Sequence, residues 1–322
     1  MQAHSSLANS RCALCDEQGK VIDDGTVTRL EENKYRWTAA DPSLRWFRQN
    51  GANMDVQIED ISEKVAALAL QGPTSGKLLK AAAEADIANL KYFRMTSGKI
   101  AGVPVDISRT GYTGDLGYEI WVPWNDAVKV WDAVMETGKR FDIHAAGMLA
   151  LDVARVEAGL LLIEVDYSSS KKALIASQKY SPYELGFAKM VHLGKENFIG
   201  KAALEKDKKD GVERQFVGLE IDWPEVEARY ETFGLTPAAP SQASRTAVPV
   251  YCGEKQVGKA TSTTWSPILK KMIALASVET SHAKLGARLQ MEITIEAVRQ
   301  KVTARIVKMP FFNPTRKMAT PV

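Results

Sequence analysis

The sequence predicts an α+β protein in which a mixed strand-and-helix region is followed by a small β-barrel. Three observations carry this reading. Strand-like and helix-like apolar periodicities alternate as far as Gly200. Beyond Gly200 come short β-type segments punctuated by Gly253, Gly258 and Gly286. The 322 residues suit two or three domains, at roughly 100–200 residues each. We therefore divide the chain into an α+β region over 11–208 and a barrel over 213–316.

The elements follow in order. The first ten residues are polar and are expected to fray. Residues 12–38 read as a hairpin, with its turn at Asp23-Asp24-Gly25 between Val21-Ile22 and Thr26-Val27-Thr28. Asp41-Pro42-Ser43 then opens a short helix to about Asn50, with Asp41 as N-cap and Pro42 at the first helical position. Residues 65–70 read as a buried strand, and Gly72-Pro73-Thr74-Ser75 starts a helix through Leu78, Leu79 and 81–85. Residues 103–108 and 118–122 are strands. Asn125 caps a helix whose apolar positions are Val128, Trp131, Val134 and Met135. Another helix runs from about His144 to Ala158. A charged helix over 201–214 presents a solvated face. Strands are expected at 215–221, 248–251, 256–264, 272–278, 288–295 and 301–307, with 222–242 a loop inserted between two of them.

Composition excludes several classes. Hydrophobic residues at 45% and charged residues at 25% are ordinary globular values, so disorder and coiled coil are poor readings. The 42 Lys and Arg against 39 Asp and Glu give a net charge of +3. Without a basic stripe interleaved with aromatics, that argues against nucleic acid as a partner. Three cysteines exclude a disulfide-dense scaffold, and four histidines make a His-rich metal centre a poor reading. The N-terminus lacks a signal-peptide pattern, and no apolar run nears the roughly 18–20 residues that span a bilayer. A cytoplasmic protein without a membrane partner is expected.

Four segments carry candidate chemistry, each beside a plainer reading. In Gly19–Gly25 the adjacent Asp23 and Asp24 satisfy a turn, or one carboxylate points into a cleft to hold a cationic group. In 109–119, Gly111, Gly114 and Gly117 force an irregular loop. That loop is a glycine-rich hairpin with an Arg109–Glu119 ion pair, or a place where a planar ligand meets backbone and Glu119 accepts two parallel N–H bonds. In 147–159, Asp152, Arg155 and Glu157 read as surface polar residues of an amphipathic helix. Ser181 and Glu184 have capping-box spacing and read as a helix start. Cys12-Ala-Leu-Cys15 lacks a second ligand pair, so both read as ordinary thiols.

In order along the chain, these segments resemble the glycine-cleavage T-protein family, the tetrahydrofolate-dependent aminomethyltransferases and their demethylase relatives. The resemblance rests on Gly19–Gly25, Leu70-Gln-Gly-Pro73, Arg109-Thr-Gly-Tyr-Thr-Gly, Val156-Glu-Ala-Gly159 and Ser181-Pro-Tyr-Glu-Leu-Gly186. It continues through Phe198-Ile-Gly-Lys-Ala-Ala-Leu204, Thr261-Ser-Thr-Thr-Trp-Ser-Pro-Ile-Leu269, Ile273-Ala-Leu-Ala-Ser-Val278 and Met309-Pro-Phe-Phe312. It implies folate-binding α+β lobes followed by a C-terminal β-barrel, and tetrahydrofolate as cofactor. It implies Asp24 as the catalytic carboxylate near the folate nitrogens. Glu119 is implied as the grip on the pterin edge, with Tyr112, Arg109 and Asp41 as further folate-site residues. No metal is expected.

Three departures bear on the donor. Leu151 stands where the family's aminomethyltransferases carry an arginine, Gly25 replaces a larger apolar residue, and Leu162-Ile-Glu-Val-Asp-Tyr167 replaces the usual Tyr-Gly-x-Asp-Met type segment. They point to a demethylase of a small O-, N- or S-methyl compound rather than to the glycine-cleavage enzyme. The family has several dozen residues before the block at Cys12, so a shortened first lobe is expected. Its unpaired edges would invite association into a homo-oligomer. The alternatives are a non-catalytic folate-binding or regulatory protein, or an inactive shortened member. The first is weakened because Ser181–Gly186 lacks the cysteine of the family's iron–sulfur assembly relatives.

Overall fold

The computed structural model describes residues 9–319. The frayed start expected for residues 1–8 lies outside them. The described residues form two compact units. One holds 9–12, 24–145 and 314–319; the other holds 13–23 and 146–313.

The chain opens with β1 (Asn9–Cys15), β2 (Val21–Glu31) and β3 (Lys34–Ala39), a three-stranded sheet in that order. The expected turn at Asp23-Asp24-Gly25 is instead the interior of β2. Gly25 pairs with Ala39, and a Cβ there would meet the Thr38 carbonyl oxygen at 2.2 Å. Its glycine thus serves close backbone approach rather than reversal. The reversals fall on either side. Asp16 Oδ1 accepts from the Gln18 and Lys20 amides at 3.0 and 2.9 Å, beside Gly19 at φ +69°. Glu31 faces Lys34 across the second turn.

Next come α1 (Leu44–Gly51), β4 (Val65–Gln71), α2 (Ser75–Ala82), β5 (Ala83–Glu84), β6 (Met95–Ile100), β7 (Val103–Ser108), β8 (Gly117–Pro123) and α3 (Ala127–Gly138). Strands β4 to β8 make an antiparallel sheet in the order β4-β8-β7-β6-β5. Leu78 and Leu79 of α2 and Val130 and Val134 of α3 pack with Ile107, Tyr118, Ile120 and Val122 of that sheet in one core. The apolar face expected of α3 is turned: Val128 and Trp131 are exposed, and Val130, Val134 and Gly138 are buried. Spacing i, i+4, i+8 was available in the sequence and is the face the core selects. Asp41 does not cap α1, whose N-cap is Ser43. Its Oδ1 accepts from the Ser43 amide at 2.7 Å, so the carboxylate closes the turn before the helix.

The second unit holds α4 (Met148–Glu157), α5 (Lys201–Asp210), β9 (Arg214–Ile221), α6 (Trp223–Glu231), β10 (Val248–Cys252), β11 (Lys255–Ser266), β12 (Lys271–Glu279), β13 (Arg288–Ile295) and β14 (Val298–Val307). Its strands close a barrel in the order β10-β11-β12-β9-β14-β13, with β13 paired back to β10. Closure removes free strand edges. Ala260, Ala274, Ala276 and Ala304 sit fully buried beside Leu219, Val250 and Val302, small next to large, as a narrow barrel interior demands. The loop expected over 222–242 contains α6. Asp222 accepts from the Glu225 amide at 3.2 Å and Pro224 sits in the first turn, start signals that the Pro- and Glu-rich composition masked. Ser181 and Glu184 do exchange capping-box bonds, at 2.7 and 3.4 Å. They close a run of turns rather than a helix.

Candidate active site

The expected site residues Asp24, Asp41, Arg109, Tyr112 and Glu119 all fall in the first unit. Glu119 sits on β8, opposite Ala69 of β4 and Ser108 of β7. Its side chain is half-buried. Oε2 accepts from the Thr110 hydroxyl and lies 3.5 Å from the Ser108 hydroxyl. Oε1 receives no hydrogen bond from the described residues. The ion pair with Arg109 does not form.

Arg109 is 1% exposed and donates instead to main-chain carbonyls. Nη1 reaches Leu90 O at 3.1 Å, and Nη2 reaches Lys317 O at 3.1 Å and the Ala319 carbonyl. Burial lowers its pKa from the usual guanidinium value. Arg316 of the same segment pairs bidentately with Asp115, at 2.6 and 2.7 Å. The glycine-rich loop is thus fastened at both ends to residues 315–319. Tyr112, half-buried, lies within the loop.

The loop's glycines answer to a residue that sequence reasoning passed over. Gln71 ends β4 and turns its carboxamide into the loop, with Nε2 donating to Thr110 O and Tyr118 O at 3.2 and 3.1 Å. Thr113 donates to its Oε1 at 3.0 Å. A Cβ on Gly111 or Gly117 would stand 2.0 or 1.9 Å from that Oε1. The glycines make room for the Gln71 carboxamide. The signal was present in Leu70-Gln-Gly-Pro73, which the resemblance marked without a role.

Asp24 lies on β2 and is half-buried. Its Oδ2 pairs with Arg11 Nη2 at 3.4 Å. Its neighbour Asp23 is 1% exposed, so of the two it is Asp24 that keeps access to solvent. Across the β2–β3 hairpin, Thr28 faces Arg36, and the Glu119 carboxylate acts on the Arg36 charge. Asp24 lies four residues before Thr28 on the same strand, about 13 Å along it.

In the second unit the polar residues of α4 are buried, not at the surface as expected. Asp152, Arg155 and Glu157 are 4%, 1% and 3% exposed. Arg155 donates to Asp152 at 2.8 Å, Ser262 at 2.8 Å and Asp166. Arg245 adds a second cation on Asp152 at 2.8 Å. Pairing of Arg155 with Asp152 and Asp166 is what lets those charges be buried, while Glu157 accepts from the Ser266 hydroxyl at 2.5 Å. Helical spacing alone cannot reveal partners that lie more than ninety residues away in β11 and its approach. Among the described residues, no group of His, Cys, Asp and Glu is arranged to hold a metal ion, and no helix is long and apolar enough to cross a membrane.

A two-part body with a closed six-stranded C-terminal barrel defines the class, and comparison with known proteins gives the family. Residues 7–195 match the GCVT N-terminal domain, and residues 214–313 match the glycine cleavage T-protein C-terminal barrel domain. The chain belongs to the glycine cleavage T-protein family. It is 34% identical over 307 residues to the aminomethyltransferase of Bacillus pumilus, covering 94% of this chain and 76% of that protein. It is 33% identical over 317 residues to the trimethylamine-oxide aldolase of Ruegeria pomeroyi, covering 94% of this chain and 37% of that protein. The fold is that of the glycine cleavage system aminomethyltransferase T from Bartonella henselae, with a TM-score of 0.75 at 20% identity over 95% of this chain and 76% of that one.

Proposed function

We propose that this chain is a tetrahydrofolate-dependent one-carbon transferase acting on a small O-, N- or S-methyl compound. The observation that carries the reading is Glu119: a half-buried carboxylate with one oxygen tied to Thr110 and the other open. A 2-amino-4-oxo pterin edge offers adjacent N–H donors, and a carboxylate of this kind suits them. Tetrahydrofolate supplies a nucleophilic ring nitrogen that takes up the one-carbon unit.

The chain's own residues supply placement and charge. Glu119 orients the ring edge, and the loop built on Gln71 and Arg109 holds Glu119 in register. Asp24, fixed through Arg11, stabilises positive charge at nitrogen during transfer. Holding donor and acceptor together turns an encounter between molecules into a step within one complex. The demethylase reading draws on Leu151, Gly25 and the 162–167 segment, which differ from the aminomethyltransferase pattern. The near-equal identity to an aminomethyltransferase and to a trimethylamine-oxide aldolase shows that sequence similarity alone does not decide the donor.

The test offers isotope-labelled methyl ethers, methylamines and methyl sulfides with tetrahydrofolate and follows label by mass spectrometry. Label on folate from one of these donors supports the proposal. Turnover only with an aminomethyl-lipoyl carrier protein would overturn it. Saturable folate binding with no transfer from any donor would favour the non-catalytic alternative.

A further inference from the structure

The five-stranded sheet of the first unit ends on one side in β4, whose outer edge has no partner strand among the described residues. The ladder to β8 runs from Val65 opposite Pro123 to Gln71 opposite Gly117. It continues past both ends: the Trp124 amide donates to Lys64 O at 3.0 Å, and the Gly72 amide to Leu116 O at 2.8 Å. Successive residues of an antiparallel strand turn their main-chain groups to alternate sides. Lys64 and Gly72 therefore fix the phase. Ala66, Leu68 and Leu70 direct their groups to β8, and Val65, Ala67, Ala69 and Gln71 direct theirs outward. Among the described residues no hydrogen bond takes up those outward amides and carbonyls, and Ala67 and Ala69 are exposed.

A sheet edge is a template for further strands, and proteins blunt it with shortness, charge or closure. The other described edges follow that rule. At the far end of the same sheet β5 has two residues, one of them Glu84. The outer strands of the three-stranded sheet carry Arg11 on β1 and Lys34 and Arg36 on β3, and the barrel is closed. Strand β4 differs: its seven residues, Val-Ala-Ala-Leu-Ala-Leu-Gln, include no charge, proline or glycine. The apolar character continues at its Lys64 end, where Trp124 is 62% exposed.

Free groups in a strand pattern call for a strand as occupant. A second copy of β4 matches them. Antiparallel about a twofold axis at Leu68, Val65 meets Gln71 and Ala67 meets Ala69, so each outward-turned residue faces another. Leu68 then faces its own copy. Lys64 falls opposite Gly72, so no like charges meet. A slip of one residue would set outward groups against residues already bonded to β8. A slip of two would set Gln71 against Glu63 or Val65 against Pro73, outside the strand. We propose that this chain forms a twofold dimer by joining β4 to β4 in the Leu68-centred register. The homo-oligomer expected from the sequence thereby gains a strand and a pairing, independent of the transferase reading.

Sedimentation velocity without folate, over about 5 to 300 μM protein, tests this, a range suited to an interface below standard size. The weight-average mass is expected to rise with concentration from that of one chain toward twice that value. Ala69→Pro removes an outward amide and none that bonds β8, so the monomer keeps its ladder. It should raise the dimer dissociation constant at least about tenfold while circular dichroism stays unchanged. Ala67→Lys places a charge on the edge and should act alike, which keeps the test decisive if Ala69→Pro fails to fold. The pairing itself is read by cross-linking in a Cys252→Ser background, since Cys252 is exposed. Leu68→Cys should give a disulfide-linked dimer on mild oxidation, because facing Cα atoms of a non-hydrogen-bonded pair stand about 4.5 Å apart. Ala67→Cys, facing Ala69, should not. A monomer throughout, a dimer that survives in a folded Ala69→Pro or Ala67→Lys protein, or cross-linking of Ala67→Cys in place of Leu68→Cys would each overturn the proposal.

Discussion

Glu119 and Asp24 are both half-buried carboxylates, yet their neighbours suit different work. Hydroxyls surround Glu119, which leaves it free to accept further N–H donors. A guanidinium faces Asp24 and fixes a negative charge in place. Asp24→Asn should therefore keep tetrahydrofolate binding while lowering single-turnover transfer by at least about a hundredfold, the lower end expected for a proton-handling or charge-stabilising group. Gln71 makes a sharper structural test. Gly117→Ala places a methyl against its Oε1 and should cost about 1–3 kcal/mol in denaturant unfolding. Adding Gln71→Ala should recover part of that loss, because the space conflict disappears. Additive losses in this double-mutant cycle would contradict the packing account.

At the scale of elements, α4 carries a pH signature. Burial pushes the Asp152 carboxyl upward, but hydrogen bonds and charge from Arg245 and Arg155 outweigh it and hold the pKa below the usual range. Its stabilising contribution is then present above the unfolded value, about 3.9, and is lost as pH falls through the lower folded value. Arg245→Met should destabilise the protein at about pH 7, and its difference from wild type should shrink toward about pH 3. Burial raises Glu157 despite the Ser266 hydrogen bond, so its contribution runs the other way and is lost as pH rises. Glu157→Gln should gain relative to wild type between about pH 4 and pH 7. Helix α6 offers a plainer check: Asp222→Ala removes its cap and should cost about 1 kcal/mol.

The same elements mark what the sequence could and could not tell. The barrel strands were legible because alternating apolar residues between turn signals repeat through the C-terminal region. The first-unit strands over 103–108 and 118–122 were legible for the same reason, whereas 65–70 is a continuous apolar run that read as a buried strand and of which only Leu70 is buried. Asp23-Asp24-Gly25 misled because its composition is that of a turn, whereas the deciding fact was cross-strand contact with Thr38 and Ala39. The α4 charges misled because Ser262, which meets Arg155, and Arg245, which meets Asp152, are distant in sequence. Arg109 and Glu119 read in sequence as an ion pair, whereas Arg109 meets main-chain carbonyls and Glu119 meets Thr110, partners that spacing along the loop does not indicate.

For the whole molecule, three hydrophobic cores underlie the two units, one beneath the β4–β8 sheet and two within and beside the barrel. The proposed folate residues all belong to the first unit, so ligand linkage should act on its unfolding. Tetrahydrofolate at about a hundred times its dissociation constant would add about 2.7 kcal/mol to whichever transition contains the site. Calorimetric scans with and without folate should therefore show a raised transition in wild type. The most direct measurement is titration of tetrahydrofolate into wild type and Glu119→Gln, followed by tryptophan fluorescence. Saturable binding to wild type, weakened about tenfold or more in a folded Glu119→Gln protein, is the expected result. Equal affinity in the two proteins, or no binding to either, would contradict a pterin seated on Glu119.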